Sequence, residues 1–369
     1  MSLLSGANGM SSGARGAPDA PHNAGDLEEA LLKDKQREAV PQGSQRWDGP
    51  QGKAPLLPIG HSGPKQSALL IKTVLVIVIW FTSNIGILLL NKHLLGGYGF
   101  RFPIFLTLCH MLACVVLSQV ASASGCVRHQ PLRSREQLVK VSVLASAFLL
   151  AVVLGNVSLR YIPVSFAQAI GAATPAATAL FALALLRTAE RGVTYVTLLP
   201  IMAGIVLATG FEPSFNTIGF LTAVSATCAR AFKAVLQSVL LADQSEKLDS
   251  MNLLRLMAPI AATLTLPAVA LLEPTAPHVA WRLLLTQPGF AALLVGNASL
   301  AYVVNFTNFQ VTHYTSALTL QVLGCAKGVL ATAVSVLIFQ NPVTVLGIGG
   351  YGMTVAGVFA YGYSKMKGK

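Results

Sequence analysis

Residues 69–90 read LLIKTVLVIVIWFTSNIGILLL, twenty-two positions with a single charge, Lys72, near their start. Coiled as an α-helix at ~1.5 Å per residue the stretch is about 33 Å long, enough to cross a hydrocarbon core of ~30 Å. Comparable runs recur to the end of the chain and define ten spans: 69–90, 102–124, 137–158, 163–186, 193–210, 216–241, 251–272, 289–311, 315–339 and 344–363. The connections between them are short and hold helix breakers such as Gly96-Gly97, Pro131, Glu212-Pro213 and Asn341-Pro342. A β-barrel is excluded, because the runs are too long and lack the alternating polarity of barrel strands.

Composition agrees. A chain of 369 residues would ordinarily build two or three soluble domains. Here 53% of residues are hydrophobic, only 11% are charged and mean hydropathy is +0.62, whereas soluble domains carry about 25% charged residues. The formal charge of +12 does not mark a nucleic-acid binder, since its basic residues are scattered between and inside apolar runs. Cys109, Cys114, Cys126, Cys228 and Cys325 fall at unrelated spacings, and the seven histidines are dispersed, so neither disulfides nor a metal site is expected. No cofactor is expected either.

Residues 1–65 differ from the rest. They are rich in Gly, Ser, Pro and Ala, and their seven basic residues balance seven acids, so the whole +12 belongs to the remainder. With so little apolar surface to bury, this stretch is expected to be a disordered cytosolic tail, followed by a membrane domain over 66–369. No apolar run near Met1 suggests a secretory signal, and acids from Asp19 onward argue against organelle import. Orientation follows from the positive-inside rule. One side collects Lys65, Lys72, Arg128, Arg133, Arg135, Lys140, Arg187, Arg191, Lys247, Lys365, Lys367 and Lys369; the other has Lys92, Arg101, Arg160 and Arg282. Both termini are therefore expected in the cytosol.

An internal repeat is legible. Tyr161, Gln168 and Gly171 of the fourth span match Tyr314, Gln321 and Gly324 of the ninth, at a constant offset of 153. More weakly, Asn84 and Asn91 of the first span match Arg230 and Gln237 of the sixth at an offset of 146. The repeating unit, 69–210 and again 216–363, then holds five helices. An odd number forces the second copy to cross the membrane upside down, the inverted-repeat plan of carriers whose site lies near the midplane.

The most informative feature is an absence: none of the fourteen acids falls inside a span. Arg230, Lys233 and Lys327 nevertheless sit near the middle of the sixth and ninth spans, each costing at least ~2.5–3.5 kcal/mol at a helix centre. Arg230 and Lys233, three residues apart, share a helix face that Gln237 continues. On the ninth span Gln321, Gly324, Lys327 and Gly328 make a second stripe, whose glycines let a ligand approach the backbone. Central depth defeats snorkelling for the two lysines, whereas Arg255, near a span end, is expected to reach helix-end carbonyls. The cations imply a water-accessible cavity that an anionic solute, such as one bearing phosphates, neutralises. An empty carrier would have to pass its occluded state with bare cations in low dielectric, so exchange is expected over net transport. Asn84, Gln168, Thr174 and Asn305, with Thr82, Ser83, Asn308 and Thr319, are the polar candidates for lining the path. Pro175, Pro259 and Pro267 are expected to kink their spans and free carbonyls. The sequons at Asn156, Asn297 and Asn305 lie in or beside spans, where glycosylation is not expected.

At these residues the chain resembles the triose-phosphate translocator and nucleotide-sugar transporter family, within the drug/metabolite transporter superfamily. The resemblance covers about residues 70–365 and is carried by Ser83-Asn84-Ile85-Gly86, Leu89-Leu90-Asn91-Lys92, the block from Tyr98 to Met111, and Gly155 to Tyr161. Pro163-Val164-Ser165-Phe166, Gln168-Ala169-Ile170-Gly171, Glu246 to Leu254 and Ser316 to Gly328 extend it. It looks most like the plant-type Golgi branch, where a small residue follows the ninth-span lysine. The resemblance implies ten helices in a five-plus-five inverted repeat, cytosolic termini, and antiport of a nucleotide sugar, such as a UDP-uronic acid or UDP-pentose, against the nucleoside monophosphate. Lys233 and Lys327 match basic positions that the family uses for substrate phosphates; Arg230 and Arg255 match none. Plastid members carry Lys-Arg where this chain has Lys327-Gly328, so a bidentate phosphate fork is missing. The Lys365-x-Lys367 ending resembles a dilysine retrieval address.

The expectation is an all-α polytopic membrane protein that exchanges a UDP-sugar for UMP across the Golgi membrane. The alternative is a plastid-envelope translocator of triose phosphate or phosphoenolpyruvate against phosphate. Its partners are membrane lipid and a small anionic solute; oligomeric state, homo-oligomer included, is not fixed. A membrane-embedded transferase would need acid clusters to hold Mg²⁺, and Asp243, Glu246 and Asp249 form only a short loop interrupted by Lys247.

Overall fold

The computed structural model describes residues 64–125, 129–162, 167, 170–187, 189–209, 216–242, 248–339 and 345–367. The polar tail up to residue 63, Gln168, and the loop acids Asp243 and Glu246 lie outside the described residues. Helices are the regular structure, with no strand among the described residues. In chain order they are α1 Pro64–Lys92, α2 Pro103–Ala123, α3 Arg135–Ser158, α4 Thr174–Leu186, α5 Gly192–Thr209, α6 Thr217–Ala242, α7 Ser250–Leu272, α8 Ala276–Thr286, α9 Pro288–Tyr314, α10 Ala317–Phe339 and α11 Val345–Lys367. Seven of them, α1, α2, α3, α6, α7, α9 and α11, are long and apolar enough to cross a membrane, and α4, α5 and α10 supply three shorter apolar stretches. Outward side chains such as Ile71, Leu180, Leu199, Leu271 and Phe359 are exposed, as a lipid-facing surface requires.

Three features depart from the reading of the sequence. The span expected as one helix over 163–186 is broken at Ala172 and Ala173, and α4 starts afresh at Thr174 with Pro175 in its first turn. Proline has no N–H to give an interior turn and clashes with the carbonyl four residues back, so it starts a helix here and does not kink one. The Thr174 hydroxyl donates to the Gly171 carbonyl at 2.5 Å, and Thr174 is itself buried. The first span runs on through a π-helical turn, His93–Gly97. Finally, α8 fills the connection before α9; its exposed Trp281 beside Arg282 suits a membrane–water boundary.

Local chemistry fixes the ends that frame the interior. Ser134 caps α3 by accepting from the Gln137 N–H at 2.9 Å, while the Gln137 side chain accepts from the Arg133 N–H at 3.0 Å. Asp249 caps α7, accepting from the Asn252 N–H at 2.8 Å. α2 and α7 pack together and are tied at both ends. At one end the buried Glu273 carboxylate, just past α7, accepts from the N–H groups of Ile104 and Phe105 in the first turn of α2, at 3.0 and 2.8 Å. A negative charge there meets the positive end of the helix dipole. At the other end Gln130, past α2, accepts from the Asp249 N–H at 3.0 Å and donates its own N–H to Asn252 Oδ1 at 3.1 Å. Arg255 belongs to this clamp: its Nη2 donates to the Gln130 carbonyl at 3.2 Å, the carbonyl pairing expected of it, though with a loop residue. Glu273→Gln would leave one acceptor and no charge at the α2 terminus. With hydrogen bonds to charged groups worth about 1.5–3 kcal/mol, its thermal unfolding in detergent is expected several degrees below that of the parent; an unchanged transition would show the clamp to be dispensable.

The main apolar core joins α2, α3, α6, α7 and α9 through Met111, Leu144, Leu241, Leu253, Met257 and Phe309. α5 and α11 pack as a separate close pair. A Cβ on Gly204 would stand 2.5 Å from the Gly350 carbonyl oxygen, so only glycine lets these backbones approach so closely.

Candidate functional site

The site is built from α1, α3, α6, α9 and α10. Lys327, mid-way along α10, donates to Asn84 Oδ1 on α1 at 3.0 Å, and its Nζ stands 5.4 Å from the Trp80 ring centroid one turn earlier on α1. Asn84 is oriented for this by its own amide, which donates to the Trp80 carbonyl at 2.6 Å. Lys233 of α6 points at two aromatic faces, with Nζ 5.4 Å from the Phe148 centroid on α3 and 5.9 Å from that of Phe309 on α9. Cation–π contacts are worth ~0.5–2 kcal/mol, less than a carboxylate partner would supply in the same place. Arg230 is exposed although it sits in mid-helix, and its Nη1 lies 3.6 Å from where a Gly171 Cβ would stand. It therefore lies against the backbone that enters α4. Arg230 is close enough to both lysines for the charges to repel. No carboxylate among the described residues pairs with any of the three.

The remaining sequence candidates divide. Gln321 is half-buried on α10, and a Cβ added to Gly324 or Gly328 would meet nothing within 4 Å, so this stripe borders open space. Asn305 lines a cavity; its amide donates to the Ala301 carbonyl at 2.9 Å. Thr174 is turned to the backbone at the α4 start.

Two adjoining cavities of about 310 Å³ each open from the end of the bundle that carries Arg101 and Arg160. The outer one is bordered by Arg101, Arg160, Asn156 and Glu273. The inner one lies between α1, α2, α3 and α9 and reaches Phe148, the ring that also faces Lys233. The aromatic seats Trp80, Phe148 and Phe309 escaped the sequence reading, because an aromatic residue inside an apolar span looks like ordinary lipid- or core-facing bulk. Gln237 was visible as the continuation of the Arg230–Lys233 face. It is fully buried, and its amide donates to Thr312 Oγ1 at 2.6 Å and to Asn308 Oδ1 at 3.1 Å, tying α6 to α9 behind the site.

A helical membrane bundle with three mid-helix cations that no described carboxylate neutralises has the character of a carrier for anionic solutes. Comparison with known proteins narrows the class. A model of the triose-phosphate transporter family matches residues 71–362, and the chain belongs to that family. It is 52% identical over 307 residues to UDP-uronic acid transporter 1 of Arabidopsis thaliana, covering 83% of this chain and 99% of that protein. It is equally 52% identical over 298 residues to a probable sugar phosphate/phosphate translocator of the same plant, covering 80% and 96%. A crystal structure of a protein 17% identical superposes with a TM-score of 0.56 over 80% of this chain and 97% of its own, a likeness of fold.

Proposed function

We propose that this protein is an antiporter that exchanges a UDP-sugar for UMP across the Golgi membrane. The observation that carries the reading is the trio Arg230, Lys233 and Lys327, the two lysines held by an amide and aromatic rings, with no carboxylate paired with any of the three among the described residues. Phosphates of either cargo complete their electrostatics. Asn84 holds Lys327, Gly324 and Gly328 leave open space along the same helix face as Gln321 and Lys327, and Asn305 lines the inner cavity. The identity to a UDP-uronic acid transporter over nearly that protein's whole length supports a nucleotide sugar as cargo. Gly328 in place of an arginine leaves Lys327 a point charge, which suits a tethered diphosphate better than free phosphate.

Transport rests on ten spans in two inverted halves, with both termini cytosolic and the tail outside the membrane domain. The packing supports this division. Exchanging α1 with α6, α2 with α7, α3 with α9, α4 with α10 and α5 with α11 maps the α3–α6 contact onto α1–α9, and α3–α7 onto α2–α9. The α2–α7, α4–α10 and α5–α11 pairs map onto themselves. Across the same axis, the meeting of Asn84 with α10 mirrors that of Arg230 with the entry to α4. The exchange is not exact: α6 packs on α9 and α10, while α1 makes no contact of comparable extent with α3 or α4 among the described residues. The inner cavity lies in that gap between α1 and α3, and with cytosolic termini it faces the lumen.

In proteoliposomes, UMP loaded inside is expected to drive UDP-sugar uptake, with little uptake into empty vesicles. A second reading, sugar phosphate against phosphate, is favoured by the other relative's name. Uptake of triose phosphate into phosphate-loaded vesicles, with no response to UMP, would replace the first reading with the second.

A further inference from the structure

The inner cavity is lined by five polar side chains, Asn91, Thr107, His110, Asn156 and Asn305, over the ring of Phe148. Their hydrogen bonds show what each has left to offer. Asn156 and Asn305 each give one amide N–H to the carbonyls of Val152 and Ala301, at 3.0 and 2.9 Å, and the Asn305 amide also approaches Cys114 Sγ at 3.9 Å; both side-chain oxygens remain as acceptors, and Asn156 keeps a second N–H. The Thr107 hydroxyl donates to the Pro103 carbonyl at 2.9 Å and keeps its lone pairs. Asn297, fully buried behind the wall on α9, donates to Asn91 Oδ1 at 2.7 Å, so its own oxygen must accept from His110 Nε2–H, with which it is in contact. A neutral His110 then has Nδ1 as an acceptor, and Asn91 keeps its amide as a donor. The wall is uncharged, offers acceptors on four side chains against amide donors on two, Asn91 and Asn156, and faces an aromatic ring.

With no cation in its lining and more acceptors than donors, this wall is poorly suited to a phosphate. It fits a ligand that brings several hydroxyl donors together with an apolar C–H face for the ring. At about 310 Å³ the cavity is at the small end of the ~300–1,000 Å³ range of small-molecule sites, so it suits one part of a larger ligand. We propose that this cavity is the glycosyl subsite: the sugar's hydroxyls donate to Asn156, Asn305, Thr107 and His110, its carbon face lies against Phe148, and the phosphates stay beside Lys233 on the far side of that ring. Asn297 is a positioning residue, setting the His110 tautomer and the Asn91 rotamer from behind. The assignment rests on the nucleotide-sugar reading.

The test compares two cargoes in one preparation. UMP-loaded proteoliposomes are offered either labelled UMP, which has no sugar, or labelled UDP-xylose and UDP-glucuronic acid. Thr107→Val and Asn156→Leu each remove an acceptor at nearly constant volume. The ratio of UDP-sugar uptake to UMP uptake is expected to fall by about tenfold in each variant, chiefly through KM, since a hydroxyl desolvated without a partner is penalised. A parallel fall of both cargoes, or an unchanged ratio, overturns the subsite while leaving the antiporter reading intact. Wild-type vesicles that accept UMP but neither UDP-sugar overturn the antiporter reading itself, and the subsite with it. UMP self-exchange is the check on folding; should Asn156→Leu lose it, the near-isosteric Thr107→Val decides.

Discussion

Lys327→Ala is expected to lower exchange of a UDP-sugar for UMP by roughly 30-fold or more, since truncating one partner of a desolvated, hydrogen-bonded charge pair costs about 2–5 kcal/mol. The ammonium is held in place by Asn84 Oδ1 at 3.0 Å and by the Trp80 ring at 5.4 Å, so its position is set before cargo arrives. Removing it deletes one of three positive charges and leaves the other two without its help. The protein should still reach its membrane and elute as a single species, because the substitution also removes a charge that costs at least ~2.5–3.5 kcal/mol at a helix centre. Loss of transport with folding preserved is thus the signature of a functional cation, whereas a structural cation would take both down. Lys233→Ala should behave alike, with one difference: Phe148 and Phe309 lose the cation they flank and can close toward each other. Initial rates in UMP-loaded vesicles, normalised to inserted protein, measure both. Parent-like turnover in either variant would remove that lysine from the site.

How far the sequence led can be traced residue by residue. Where apolar run length decides, as in residues 69–90, 137–158 or 251–272, the helices were legible, because the bilayer imposes a length and hides no alternative. The isolated cations were equally legible, since a charge in oil stands out against its neighbours. What was hidden depends on rotamers and on approach in space. Nothing marks Trp80 or Phe148 as the seat of an ammonium until α1 is set against α10 and α3 against α6. The α4 start at Thr174 is masked by the unbroken apolar run around it, although Pro175 suits the first turn of a helix. Glu273, in sequence only one of the fourteen acids outside the spans, is buried, and its role depends on α2 beginning where α7 ends.

Asn84→Asp is expected to have the other large effect, and of a different kind. The substitution is isosteric and sets a carboxylate about 3 Å from the Lys327 ammonium, where Asn84 Oδ1 now stands. At an effective dielectric of ~20 an ion pair about 4 Å apart is worth ~4 kcal/mol. Against this stands the amide donation to the Trp80 carbonyl, 2.6 Å in the parent, which aspartate loses. That loss costs about 1–3 kcal/mol, so the ion pair prevails. An internal counter-ion competes with the phosphates of the cargo, and KM for the UDP-sugar should rise by about tenfold or more. It also changes the empty carrier. If strict exchange arises because bare cations block the occluded state, a carrier with its own carboxylate can return without cargo, and uptake into vesicles with no UMP inside should emerge. Asn84→Leu breaks the same hydrogen bond without adding charge, so it should weaken uptake yet keep it dependent on internal UMP. The contrast isolates electrostatics from packing: a coupled Asn84→Asp carrier with unchanged KM would mean that something other than the unpaired cations enforces exchange.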